Sequence, residues 1–184
     1  MSTGIIIYGA TGSGKTTLGK ELAQRLGFLH LDIDDYIWRW DTEIPYTIFR
    51  PREERIEGLM NAVSKCRHFV MTGSMWSIRE FFNPLFELAV FLTVPVEIRI
   101  NRLHARELAM FGERILEGGD MYEQHIKFLS DSAQYDMGEP PLLCLKQHEQ
   151  WTAELPCPVL RADGAKAIPE NAAWIAEQFL QLKK

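Results

Sequence analysis

Gly9-Ala10-Thr11-Gly12-Ser13-Gly14-Lys15-Thr16 matches the phosphate-cradling pattern G-x-x-x-x-G-K-[ST] at every specified position. Ahead of it lies the β-branched run Ile5-Ile6-Ile7 with Tyr8, and behind it Leu18, Leu22, Ala23 and Leu26 recur on one helical face. Strand, glycine turn and helix is the order this pattern requires. A plain glycine turn beside a surface lysine is the alternative, and it would not explain the full match in that context. Glycines at 9, 12 and 14 let the chain pass close to phosphate oxygens, so that the backbone N–H groups of this loop, those of Ala10, Thr11 and Ser13 included, can converge on one anion. The helix N-terminus adds its partial positive charge. Lys15 can reach the β- and γ-phosphates of ATP, the Thr16 hydroxyl is placed for Mg²⁺, and Thr17 for the α-phosphate.

The remaining composition narrows the setting. A chain of 184 residues with 46% hydrophobic and 24% charged residues is expected to fold as one domain with a core of its own, 1–184. The net charge of −5 disfavours a nucleic-acid or membrane-surface binder, so no nucleic-acid and no membrane partner is expected. Three cysteines, Cys66, Cys144 and Cys157, without C-x-x-C spacing or a secretory leader point to reduced thiols, buried as small hydrophobes in a cytoplasmic protein. No apolar run approaches the ~20 residues of a membrane span. A monomer or weak homodimer is expected.

Further along, Phe28-Leu29-His30-Leu31 reads as a second strand running into Asp32-Ile33-Asp34-Asp35. In a parallel sheet the carboxyl ends of neighbouring strands share one crevice, so Asp32 and Asp34 should face the phosphate loop, while Asp35 suits a helix cap. The aromatic stretch Tyr36 to Tyr46 reads as packing of a small helical subdomain, followed by a helix from Pro51 to about Lys65. Arg50 and Arg52, beside it, suit an anionic substrate. A third strand, within Arg67 to Thr72, ends in Gly73-Ser74 at the same crevice. Ser77 to Glu87 reads as a helix broken by Pro84, and Ala89 to Leu92 as strand four. Residues 96 to about 110 read as a helix carrying Arg99, Arg102 and Arg106, the last two sharing a face. The glycine-marked stretch around Arg114 and a helix from about Met121 to Tyr135, with His125, read as a mobile cover over residues 111–136. A helical segment to about Gln150, a fifth strand at Val159-Leu160-Arg161 and a helix from Pro169 to Leu182 complete an α/β sandwich on a parallel sheet.

With these residues in place, the chain resembles the P-loop small-molecule kinases of the nucleoside-monophosphate kinase group, including adenylate, shikimate and gluconate kinases. Leu31-Asp32-Ile33-Asp34 is similar to the D-x-D of shikimate kinases, which implies Asp32 in the Mg²⁺ shell and Asp34 at the accepting hydroxyl. Phe49-Arg50-Pro51-Arg52-Glu53 fits the F-R-x-x-E of that family, implying that Arg50 grips a substrate anion. Arg102-Leu103-His104-Ala105-Arg106 is similar to the R-x-x-x-R of adenylate kinases, implying Arg102 on adenine and Arg106 on the transferred phosphate. The loop at Gly164 falls where these enzymes wrap adenine. Gly73-Ser74-Met75 stands where shikimate kinases have three glycines. The resemblance implies a three-layer P-loop NTPase fold, a five-stranded parallel sheet in the order 2-3-1-4-5, a helical substrate region at about 34–66 and a lid at about 111–136.

The expected activity is ATP-dependent transfer of the γ-phosphoryl group to a small-molecule acceptor. Lys15, Arg106 and Arg114 would neutralise charge, Asp34 would act as base for a hydroxyl, and Arg50, Gly73 and Ser74 would bind the acceptor. Were the acceptor a phosphate, as in nucleotide kinases, no base would be needed and Arg50 would hold it. A nucleotide-binding regulator without an acceptor is the reading from another class, and the chain carries no guanine-reading N-K-x-D string to support it.

Overall fold

In the computed structural model, which describes residues 2–183, strands and helices alternate along the chain. In order they are β1 (Thr3–Gly9), α1 (Lys15–Leu26), β2 (Leu29–Asp32), α2 (Asp34–Ile37), α3 (Arg52–Ser64), β3 (His68–Thr72), α4 (Arg79–Phe82), β4 (Phe86–Thr93), α5 (Val96–Phe111), α6 (Tyr122–Ala133), α7 (Leu145–Glu154), β5 (Val159–Asp163) and α8 (Ile168–Gln181). All strand pairings are parallel and the order is β2-β3-β1-β4-β5, as the resemblance implies.

The central strand explains its own sequence. β1 is covered on both faces, so it reads as a continuous apolar run rather than an alternating one. Ile5 and Ile7 pack with Leu18 and Leu22 of α1 and with Ile175 and Phe179 of α8. Ile6 and Tyr8 face the other layer, with Leu59 and Val63 of α3 and Trp151 of α7. From β1 the chain crosses to β2 and β3 on one side and later to β4 and β5 on the other. That reversal opens a crevice at the carboxyl ends of β1 and β3, where ligands bind in open α/β sheets.

Several boundaries differ from the sequence reading. The helix expected over 77–87 is only the single turn of α4 plus a 3₁₀ turn at Asn83–Leu85, and β4 begins at Phe86. Pro84 supplies no N–H to continue a helix, and Phe86 and Leu88 are drawn into the two apolar layers. The aromatic segment is not helical beyond α2; it is a loop closed by an isolated bridge between Trp38 and Phe49. Of the cysteines, Cys144 is buried but Cys66 and Cys157 are half-buried, and all three are free thiols. Among the described residues no helix is long and apolar enough to cross a membrane.

Candidate active site

Gly14 caps α1 with φ 95° and leads straight into Lys15. At Gly12, φ is 79° and an added Cβ would stand 2.8 Å from the Arg99 carbonyl, so the loop is pressed against α5 and only glycine fits. Lys15 folds back, its Nζ donating to the Ala10 carbonyl at 2.8 Å. Burial pushes its pKa down to about 8, against the opposing pull of Asp34 and Asp32. The Ser13 hydroxyl is buried within the same loop and finds no hydrogen-bond partner among the described residues.

β2 delivers the two aspartates. Thr16 Oγ1 donates to Asp32 Oδ2 at 2.8 Å, and the Asp34 N–H donates to Asp32 Oδ1 at 3.2 Å. Asp34 accepts from the Trp38 indole N–H at 3.2 Å. Its pKa is raised, first by burial and then by the charge of Asp32. Thr16 and Asp32 thus present two hard oxygens side by side at the head of α1, the donor type that suits Mg²⁺.

These residues open onto a cavity of about 1360 Å³, larger than the roughly 300–1,000 Å³ of a site for one small ligand. Lys15, Thr16, Thr17, Asp32, Asp34, Gly73, Ser74, Arg102 and Arg106 all line it. Arg102 bridges the phosphate loop and the loop after β5, donating to the Ser13 carbonyl at 3.3 Å and to the Gly164 carbonyl at 3.1 Å. Gly164, expected at the nucleotide, does not line the cavity: its N–H donates to the Thr93 carbonyl and its own carbonyl accepts from Arg102. Arg106 lies 6.0 Å from the Phe128 ring centre and makes no ion pair among the described residues.

Two arginines expected here are placed elsewhere. Arg50 donates to the Trp38 carbonyl at 3.0 Å and does not line the cavity. Arg114 is engaged by Asp120 at 2.7 Å, six residues on, and also lies outside the lining. The stretch around it is tightly turned, with N–H bonds from Leu116 to Glu113, Gly119 to Leu116 and Met121 to Arg114, and with Ile115 and Met121 buried. Arg99, the first arginine of α5, is fully buried and bonds to Val94, Ser132 and Asp136, joining α5 to the end of α6. It is a structural tie.

The structure also brings in residues the sequence reading passed over. Arg55 reaches the cavity from α3; it precedes Leu59 and Val63 at spacings of four, the buried face of that helix, and this spacing is a signal available in the sequence. Fully buried His148 lies between the Tyr135 hydroxyl, 2.6 Å from Nδ1, and Ser74 Oγ, 3.3 Å from Nε2. Burial, and then the charge of Lys15, push His148 down to about 3, so the ring is neutral. Burial raises the Tyr135 phenol, which stays protonated and shares a hydrogen bond with Nδ1. The neutral ring carries one N–H, so it donates to one of these hydroxyls and accepts from the other.

That histidine has a stability consequence. Its folded value of about 3 lies below the roughly 6.5 of an unfolded histidine. Below that value the unfolded chain takes up a proton that the native chain refuses. Stability is therefore complete above about pH 6.5 and lost progressively as pH falls toward the folded value. Between pH 7 and about 5, this one group costs about 2 kcal/mol. Urea titrations at both pH values should show His148→Gln losing less stability than the native chain over that interval by about this amount; equal losses would contradict the assignment.

Sheet order, crevice and loop together define a P-loop nucleotide-binding fold of the small-molecule kinase group. Within it the chain belongs to the AAA domain family (AAA_18), which matches residues 5–110. It is 34% identical to the uncharacterized protein YqaC of Bacillus subtilis (strain 168) over 171 residues, 93% of this chain and 94% of that protein. It is 27% identical to a shikimate kinase of Nitratidesulfovibrio vulgaris over 159 residues, 77% of this chain and 90% of the relative. Among solved structures, shikimate kinase from Acinetobacter baumannii in complex with shikimate superposes with a TM-score of 0.53 at 24% identity, covering 99% of this chain and 93% of that one.

Proposed function

We propose that the protein is an ATP-dependent kinase that transfers the γ-phosphoryl group to a hydroxyl of a small molecule. The observation that carries this reading is the convergence of Lys15, Thr16, Asp32 and Asp34 at one end of a cavity with room for two ligands. The triphosphate lies along residues 9–17, with Lys15 turning from the Ala10 carbonyl to the β- and γ-phosphates. Mg²⁺, when bound, is held through Thr16 and Asp32 and neutralises phosphate charge. The acceptor oxygen attacks the γ-phosphorus as the bond to the β,γ-bridging oxygen breaks. Asp34 takes the acceptor proton, ADP departs with the bonding pair, and Arg106 stabilises charge on the moving group.

Asp34 is suited to the base role because its raised pKa brings it closer to working pH than an exposed carboxylate. Residues 34–66 form the acceptor side and residues 111–136 the cover. Arg114 joins the phosphates only if it leaves Asp120, so closure of that segment is part of the proposal. The protein acts in the cytoplasm as a monomer or weak homodimer.

Acceptor-stimulated release of ADP from MgATP is the direct test. Stimulation by a hydroxyl compound supports the kinase; hydrolysis at one rate with every acceptor supports a regulatory nucleotide-binding protein. Arg102 gives a separate check. Arg102→Ala is expected to raise the KM for ATP by roughly tenfold with kcat nearly unchanged, since it removes contacts made equally in ground and transition states. A fall in kcat with unchanged KM would place Arg102 in the chemical step instead.

A further inference from the structure

The acceptor end of the cavity differs from its phosphate end. Beyond Asp34 its walls include the rings of Trp38, Tyr46, Phe49 and Trp76. Trp38 stands beside the base, its indole N–H on Asp34, with Phe49 stacked on it at 4.0 Å and Tyr46 edge-on at 6.1 Å. Phe49 is 55% exposed and Tyr46 37% exposed, so these rings leave substantial apolar area facing solvent. A polyhydroxylated acid placed there would lay hydroxyl after hydroxyl against carbon, each losing water without a replacement bond. A flat ring would instead stack and remove apolar area from water on both sides.

The cationic group at this end is Arg55. It lies 5.5 Å from the Phe49 ring centre, and Nη1 donates to the Ser77 hydroxyl at 3.1 Å. Its Nε is buried and has no hydrogen-bond partner among the described residues, and no carboxylate pairs with it among them. Its neighbours are already engaged, Arg50 by the Trp38 carbonyl and Arg52 by Glu80 at 2.5 Å. A half-buried guanidinium that no carboxylate neutralises favours an anionic oxygen, which accepts a charge-assisted bond.

We propose that the acceptor is a planar, largely apolar alcohol bearing one anionic group, its ring against Trp38, Tyr46 and Phe49, its hydroxyl at Asp34 and its anion on Arg55. This rests on the kinase reading above. It separates the substrate class of this chain from the polyhydroxylated acids, and it assigns the anion grip to Arg55 in place of Arg50.

ADP release from MgATP is measured with para-hydroxymethylbenzoate, meta-hydroxymethylbenzoate, neutral benzyl alcohol, gluconate and shikimate, with MgATP binding followed separately by calorimetry. The inference predicts that a hydroxymethylbenzoate stimulates release at least tenfold more than gluconate or shikimate at equal concentration, since an apolar wall rejects groups whose hydrogen bonds it cannot replace. Arg55→Ala should raise the KM for the benzoate by roughly tenfold to a hundredfold while leaving that for benzyl alcohol unchanged, and Arg55→Lys should recover part of the loss. A merely structural arginine would shift both acceptors together. Gluconate or shikimate acting as well as the benzoates, silence of both benzoates while MgATP still binds, or an Arg55→Ala effect equal for charged and neutral acceptors would each overturn the inference. Failure of MgATP to bind would overturn the kinase reading itself, and the calorimetric arm detects that separately.

Discussion

Lys15→Ala should reduce phosphoryl transfer by roughly 10²–10³-fold or more, the cost of removing one preorganised charge from the transition state, without lowering the melting temperature. The second half is the more diagnostic. Without nucleotide, the Lys15 ammonium is held where burial pushes its pKa down to about 8, so the folded chain carries a charge that water would solvate better. Its Nζ donates to the Ala10 carbonyl within the same loop. Truncation therefore relieves a cost and breaks no tie to the core. Thermal melts with single-turnover assays check both parts. A variant that unfolds tens of degrees lower would make Lys15 a structural residue, and one that transfers phosphate at the native rate would remove it from the chemistry.

Asp34→Asn should lower kcat by roughly 10²–10⁴-fold, the range expected for a positioned general base, with the dissociation constant of MgATP changed less than about threefold. Asn preserves the oxygen that accepts from Trp38 and deletes the charge. It also relieves the repulsion with Asp32 that raises the pKa of Asp34. The variant should therefore fold at least as well as the parent. The pH profile carries the same assignment. Because the base works ionised, the native rate should fall as acid protonates Asp34, and the limb should begin at a higher pH than for an exposed aspartate near 3.9. Equal losses in rate and nucleotide affinity would make Asp34 a ligand of the nucleotide rather than a base.

How far the sequence alone reaches depends on the range of the interaction that decides each residue. The phosphate loop, Asp32 and Asp34 are set by local pattern, and the crevice is defined once β1 is read as central. Strand order accords with the resemblance and is observed. Arg114 lies outside the observed cavity because Asp120, six residues on, competes for it, and spacing alone does not rank a nearby carboxylate against a distant phosphate. Arg50, Arg52 and Arg55 look interchangeable in composition, yet only Arg55 lines the cavity, while Arg50 is engaged by the Trp38 carbonyl and Arg52 by Glu80. The Tyr135–His148–Ser74 chain spans up to 74 residues, so its partners meet only after the sheet has assembled. The start of β4 at Phe86 is hidden in the sequence because Pro84 marks the end of a helix but carries no signal for a strand two residues later.

The proposed kinase reaction requires a magnesium nucleotide to bind the loop after β1. The most direct measurement is the melting temperature of the native chain and of Lys15→Ala, with and without MgATP or MgGTP. A ligand at a hundred times its dissociation constant stabilises by about 2.7 kcal/mol, worth roughly 5–11 °C for a chain of this size. The native protein should show such a rise with one of the two nucleotides, and Lys15→Ala should show little of it. No rise with either nucleotide, or the same rise in both proteins, would contradict the account.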